Sequence, residues 1–446
     1  MFLPAIAFAL FQPLLIRRAK VDITPPEPLP LGGYTERHGE TMKAGGDPLY
    51  ARCLEVEQGS TKVAIVSVEM LTIPESLYRE VENRIPKDVH LFMQATHTHC
   101  APDSQMLNDR MTFAIPGIAT YRKRWLVWYA DRIAGVVASA LAAPPEMPPR
   151  IDATIAIVAA NRARRKGGKP DPRLISVATP QSLLFTYFTA HPTIYDENMN
   201  QTRGDWPGLL ATKTGAIVLN GALGDISPAA DGATVEDKFK TFFRELSTPS
   251  KTSRLTVWTA HGPKAAISSL PIQACDLQRA ARPTPSPSGA REPRAVGQSP
   301  RPGIQNANAL AWAVEPIPLD AKKPHPDFAK HNGIPEALAK SLVDKFAPPS
   351  DSVVAVRVGS LAIVGIPGEP TSILGNQIEA AGQRNGFQCV LVCSHVNGWM
   401  GYILDPTDYD QGGYEAELSF YGRDEGEKVV EAARQALADL AERPKI

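Results

Sequence analysis

The feature that most constrains this chain is a recurring pair: a short unbroken apolar run, then a loop carrying glycine, proline or histidine. The runs at Lys62–Glu69 and Val89–Gln94 are examples, and others lie at Ile151–Ala160, Leu174–Thr179, Leu183–Ala190 and Gly215–Leu219. Three more follow at Ser352–Val358, Leu361–Ile366 and Cys389–Ser394. Apolar runs of this length bounded by turn residues read as buried strands. Between them, helical spacing marks Pro74–Arg84, Tyr121–Leu141 (ending before Pro144-Pro145), Thr371–Gly382 and the Ala-rich, charged stretch Glu425–Glu442. Strands alternating with helices predict an α/β fold of layered, mixed β-sheets flanked by helices. In such folds ligands gather on the loops that follow the strands.

One pattern occurs twice. Val63-Ala64-Ile65-Val66, a helix and a second strand lead to His97; Leu361-Ala362-Ile363-Val364, a helix and a second strand lead to His395. Shared α/β grammar or duplication explains this equally well, and under duplication the two halves meet at a common site.

The rest of the chain sets limits. Its 47 basic and 47 acidic residues cancel, so nothing points to nucleic acid or to a strongly charged membrane surface. Five cysteines at wide spacings do not form a disulfide framework. Cys389 and Cys393 sit roughly 13 Å apart along one strand, too far for a bond, and read as buried thiols. Met1 to Leu15 carries no charge and is too short to span a membrane; it fits the apolar part of a degenerate secretory signal. Residues 1–19 are therefore set apart, and a secreted or periplasmic location is expected, with a cytoplasmic one as the alternative. The stretch from Thr248 to about Gln305 is different: prolines accumulate from Pro283 on, and apolar residues are few after Cys275. Residues 281–305 are expected to be a flexible surface insert in a single domain spanning 20–446.

Five short motifs carry residues suited to chemistry. Thr96-His97-Thr98-His99 follows the strand Val89–Gln94. On an extended segment His97 and His99 would project to one side, roughly 6–7 Å apart at Cα, as metal ligands or as hydrogen-bonded surface imidazoles. His191, in Ala190-His191-Pro192-Thr193, also ends a strand, and alone it reads as an ordinary loop histidine. Glu369, in Pro367-Gly368-Glu369-Pro370-Thr371, is a metal ligand or simply an acidic group before a helix. The loop Asn220–Pro228 is rich in glycine and presents Ser227, without the pattern of a nucleophile elbow. Tyr402 and Tyr414 stand twelve residues apart in a loop region and would by default be packing residues.

Taken in order, these motifs resemble the neutral, non-lysosomal ceramidase family in its N-terminal catalytic domain. The resemblance begins at Lys20–Pro26 and Gly33-Tyr34, passes through the motifs above and Asn161-Arg162, and runs to about Gly422. It implies that His97, His191, Glu369 and Tyr402 hold a zinc ion. It also implies that His99, Arg162, Ser227 and Tyr414 surround the substrate amide. The family's reaction is hydrolysis of the N-acyl bond of ceramide to a fatty acid and sphingosine. Two neutral imidazoles and a carboxylate are a common catalytic zinc set that leaves a position for water. By this reading Tyr414 and His99 are candidate oxyanion donors, His99 the candidate acid for the leaving nitrogen, and Arg162 and Ser227 orient the polar head. The expected partner is a lipid-like N-acyl substrate, with peripheral contact with membrane lipid left open and no obligate protein partner inferred.

The sequence departs from the family in places. Cys100 stands where Ser is usual, Ala229 where Asn is usual, and the segment from Ser227 to about Leu310 does not match. After Gly422 one helix remains where the family carries a further domain. The metal and the reaction class thus rest on more residues than the choice of ceramide does. A zinc amidase for another N-acyl substrate, a non-catalytic lipid-binding homologue and an anchored envelope protein are the alternatives.

Overall fold

The computed structural model describes residues 12–260, 308–331 and 333–442. The expected insert at 281–305, Cys275 and the start of the apolar leader lie outside the described residues.

Three sheets are built to one plan. The first contains β1 (Leu15–Asp22), β2 (Tyr50–Gln58), β3 (Thr61–Val68) and, after helix α1 (Glu75–Glu82), β4 (Val89–Ala95). Its order is β1-β2-β3-β4, antiparallel twice and then parallel across α1. Helix α2 (Lys123–Ala142) joins α1 in covering its outer face. The second sheet follows, with β5 (Arg150–Ile157), the short β6 (Asn161–Ala163), β7 (Arg173–Ala178), β8 (Leu183–Phe188), α3 (Asp205–Thr214), β9 (Ile217–Asn220), the short β10 (Ile226–Pro228), α4 (Val235–Ser247) and β11 (Lys251–Thr259). Here the order is β11-β5-β7-β8-β9, and only β8 and β9, joined through α3, are parallel. β6 and β10 form a separate two-stranded pair.

The third unit runs through β12 (Leu310–Pro316), α5 (Pro326–His331), α6 (Glu336–Phe346), β13 (Ser352–Val358), β14 (Leu361–Gly365), the short β15 (Glu369–Pro370), α7 (Ser372–Arg384) and β16 (Cys389–Cys393). It closes with β17 (Tyr402–Ile403), α8 (Pro406–Asp410), α9 (Tyr414–Glu417) and α10 (Glu425–Glu442). Its sheet, β12-β13-β14-β16, repeats the first: two antiparallel junctions, then a parallel one across α7. The fold is the expected α/β arrangement of mixed sheets flanked by helices.

Strand alternation explains the layering, because successive side chains point to opposite faces. In β3, Val63 and Ile65 enter a central core shared by all three sheets, while Ala64 and Val66 face the α1–α2 layer. In β16, Cys389, Leu391 and Cys393 enter the same central core, while Val390 and Val392 face α7 and α10. Strands buried on both faces must be apolar throughout, which is why these runs were legible. Cys53, Cys100, Cys389 and Cys393 are buried and free.

Some elements differ from expectation. Strand β1 begins at Leu15, so the first sheet takes up part of the segment 1–19. β2 reads YARCLEVEQ, and its charges are paired: Glu55 with Arg17 on β1, and Arg52 with the buried Glu69. β11 falls in the stretch that begins at Thr248; it is an edge strand whose first four residues are exposed. β9 starts at Ile217, two residues later than expected, because Gly215 adopts φ 71° and closes α3. Among the described residues no helix is long and apolar enough to cross a membrane.

Candidate metal centre

The site lies where the parallel strand pairs of the three sheets end. His97 follows β4, His191 follows β8 and Glu369 follows β14, so each sheet supplies one residue. Crevices outside the carboxyl ends of parallel strands are where open α/β sheets bind ligands.

His97 is not on an extended segment as its spacing suggested. β4 ends at Ala95 and His97 takes φ 69°, a left-handed turn. Its amide donates to Met70 O at 2.9 Å and its Nδ1 lies 2.8 Å from Leu71 O. A carbonyl only accepts, so Nδ1 carries the proton and Nε2 keeps its lone pair. His191 is fixed the same way: its amide and its Nδ1 both reach Ile226 O, at 2.9 and 3.0 Å. Burial lowers both imidazoles, His191 to about 3 with help from the nearby Arg164 guanidinium, so both are neutral near pH 7.

Glu369 Oε2 faces these two lone pairs, 3.3 Å from His191 Nε2 and 3.6 Å from His97 Nε2. That oxygen has no hydrogen-bond partner among the described residues, although the side chain is buried. Burial raises the carboxyl, but positive charge on the surrounding imidazoles would outweigh it and hold Glu369 well below the usual carboxylate range. Three electron-pair donors, all within 4.8 Å of one another and with no proton between them, repel unless a cation joins them. The donor set therefore fits a divalent metal.

Tyr402 completes the cluster through backbone pairing. β15 and β17 run parallel with Glu369 opposite Tyr402. The buried Tyr402 hydroxyl lies 3.2 Å from His191 Nε2, and its ring stacks over His191 at 6.3 Å and 9°. Burial and then Glu369 push this phenol well above its usual range, while Arg164 pulls it down.

The remaining candidates divide. His99 Nε2 reaches to 3.3 Å from His97 Nε2, and the His99 ring packs 4.7 Å from Tyr34. Burial holds His99 neutral, well below its usual value. The more exposed Tyr414 places its ring 5.8 Å from that of Tyr402, at the rim. Ser227 on β10 sits opposite Arg162 on β6, next to the Ile226 carbonyl that anchors His191. The Arg162 guanidinium is not brought to the imidazoles; it binds the exposed Asp231 at 3.1 Å.

Arg164, two residues on, reaches the cluster instead. It donates to Gly224 O, lies 3.4 Å from His191 Nε2 and pairs with Glu415 at 3.3 Å. Arg164 lies just past the end of β6 at Ala163, so strand alternation, which would place it on the same side as Arg162, gave no signal of this. The glycine-rich loop also acts differently from expectation. Gly224 packs against the backbone of Glu369 and Pro370, where a Cβ would collide, and its amide bonds Pro370 O at 3.0 Å. Two further residues were missed, Trp399 and His395. The Trp399 indole donates to Glu369 Oε1 at 3.1 Å, and the buried His395 ring stacks on His97 at 4.1 Å and 17°. The two halves of the internal pattern thus meet at one site.

No protein-family profile matches the chain. A 93-residue segment is 33% identical to the neutral ceramidase of Mycobacterium tuberculosis, covering 20% of this chain and 14% of that protein's length. The structure is similar to the crystal structure of neutral ceramidase from Pseudomonas aeruginosa, with TM-score 0.68, 15% identity, and coverage of 98% of this chain and 75% of that one. A ceramidase structure complexed with C2 gives the same TM-score and identity, over 97% and 76%. The chain thus shares the fold of these neutral ceramidase structures, and one short segment of it is similar in sequence to a neutral ceramidase.

Proposed function

We propose that this chain is a zinc-dependent amidohydrolase that cleaves the N-acyl bond of ceramide or a ceramide-like lipid, releasing a fatty acid and an amine. The observation that carries this reading is the buried convergence of His97 Nε2, His191 Nε2 and Glu369 Oε2 with no proton to share. In this reading those three residues and Tyr402 hold the metal, which when bound supplies a Lewis acid and a water of lowered pKa. His99, kept neutral by burial, accepts a proton from the attacking water and passes it to the leaving nitrogen. Tyr414 donates to the carbonyl oxygen as negative charge develops there. Ser227 on β10, next to the Ile226 carbonyl that anchors His191, orients the polar head of the lipid.

Metal analysis of dialysed protein, followed by hydrolysis assays on short- and long-chain N-acyl sphingosines, tests this. About one zinc per chain is expected, with turnover abolished by chelator and restored by zinc. Turnover that persists in chelator sinks the zinc mechanism. Zinc without turnover on any N-acyl sphingosine sinks the ceramidase assignment and favours another N-acyl substrate or lipid binding alone.

A further inference from the structure

His395 lies outside the set of residues assigned above. Its side chain is fully buried, at 0% exposure, and neither ring nitrogen has a hydrogen-bond partner among the described residues. Each unpaired polar atom in such a place costs about 1–3 kcal/mol. A leucine would fill the same space without that cost, so the imidazole needs a reason to be there.

Its position supplies one. β16 ends at Cys393 and β4 at Ala95, so His395 and His97 each follow the second parallel strand of their sheet by two residues. Both adopt positive φ, 55° and 69°. His395 is therefore the counterpart of His97 in the repeated unit, and the two rings stack face to face. Its backbone is tied on both sides: the amide donates to Gly368 O at 3.0 Å, and the carbonyl accepts from Ala95 N at 3.2 Å. This leaves His395 Nε2 4.0 Å from Glu369 Oε1, the oxygen already held by the Trp399 indole. A closure of about 1 Å makes that contact a hydrogen bond.

We propose that His395 is a positioning residue of the metal centre: protonated on Nε2, it donates to Glu369 Oε1 and, with Trp399, turns Oε2 toward the cation. Partners of this kind fix the orientation of first-ligand carboxylates and imidazoles. The inference rests on the metal reading above and adds a residue to it.

Zinc affinities of wild type, His395→Leu and His395→Gln, measured by chelator competition, provide the test. His395→Leu is expected to bind zinc roughly 10–100-fold more weakly. Its metal-free melting temperature should be no lower than that of wild type, because an unpaired polar ring has been removed. His395→Gln, which keeps a donor, should recover most of the affinity. Wild-type affinity in His395→Leu overturns the proposal while leaving the metal reading intact; a wild type that takes up no zinc overturns both. Should His395→Leu fail to fold, long-range 15N spectra of histidine-labelled zinc protein decide, with His395 assigned by its loss in His395→Gln. An Nε2–H tautomer is expected, and an Nδ1–H tautomer overturns the proposal.

Discussion

At the scale of residues, the site is defined by where protons are absent. His97 and His191 each spend their one N–H on a backbone carbonyl, so their remaining nitrogens can only accept. Glu369 adds a third acceptor and the negative charge. Removing that charge with little change of shape isolates its contribution. Structural zinc sites bind with about 10–16 kcal/mol over four ligands, so one ligand accounts for about 3 kcal/mol. Glu369→Gln should accordingly weaken zinc binding roughly 100-fold or more, as read by chelator competition, while circular dichroism stays unchanged. Equal affinity in the two proteins would remove Glu369 from the ligand set. His97, His191 and Glu369 each sit in a short motif after an apolar run, but only the family resemblance joined them and Tyr402 into one set. His395 was marked in the sequence only as the end of the repeated strand–helix–strand pattern, because a lone histidine after a strand does not show what its ring will face. Arg164 was hidden for a related reason: it lies just beyond the short strand that carries Arg162, and only the fold sets which of the two arginines turns inward.

At the scale of elements, the central strands announced themselves through apolar runs buried on both faces. Among the strands that did not, β1, β2 and β11 carry charged residues whose partners lie on other strands or in solvent. Helix α10 shows how burial can outweigh a helix end. A carboxylate in a first turn is normally favoured by about 0.3–1 kcal/mol. Glu425 is buried at that position, accepts from Ser419 Oγ at 3.0 Å and leaves Oε1 without a partner among the described residues. Burial pushes it up to about 8, a penalty of a few kcal/mol on the charged form. An unfolded glutamate titrates near ~4.3, so the folded chain holds this proton longer. The resulting stabilisation is complete below that pH and is lost as pH rises toward about 8. Wild type should therefore melt lower at pH 8 than at pH 6, and Glu425→Gln should shrink that difference by about 2–4 °C. An unchanged pH slope in the variant would show that Glu425 is not its source.

At the scale of the whole molecule, three sheets of one design share a core, and the ends of their parallel strands must be joined without stranding backbone groups. Gln94 does much of this. Its Nε2 donates to Asn220 O and Ser394 O, both at 2.7 Å, and its Oε1 accepts from Asn220 N at 3.2 Å. One side chain from the first sheet, three residues before His97, thus ties the second and third together. Gln94→Leu keeps the volume but leaves buried backbone groups unpaired, at about 1–3 kcal/mol each. We expect a loss of about 2–4 kcal/mol, measured as a lower denaturant midpoint at similar slope. A midpoint equal to wild type would mean that the sheets hold together through the apolar core alone.

By itself, the sequence determined the strand–helix alternation, the apolar faces of the central strands and the identities of the residues able to bind a metal. These are local properties, set by side-chain chemistry and a period of two or 3.6 residues. Only the tertiary structure decided which of them meet. His97, His191 and Glu369 span more than half the chain, and they converge because three similar sheets pack around one core and place their parallel strand ends together. Convergence of that kind depends on contacts between distant segments, which no local period encodes. The same packing turned Arg164 inward and Arg162 outward, and set His395 against His97.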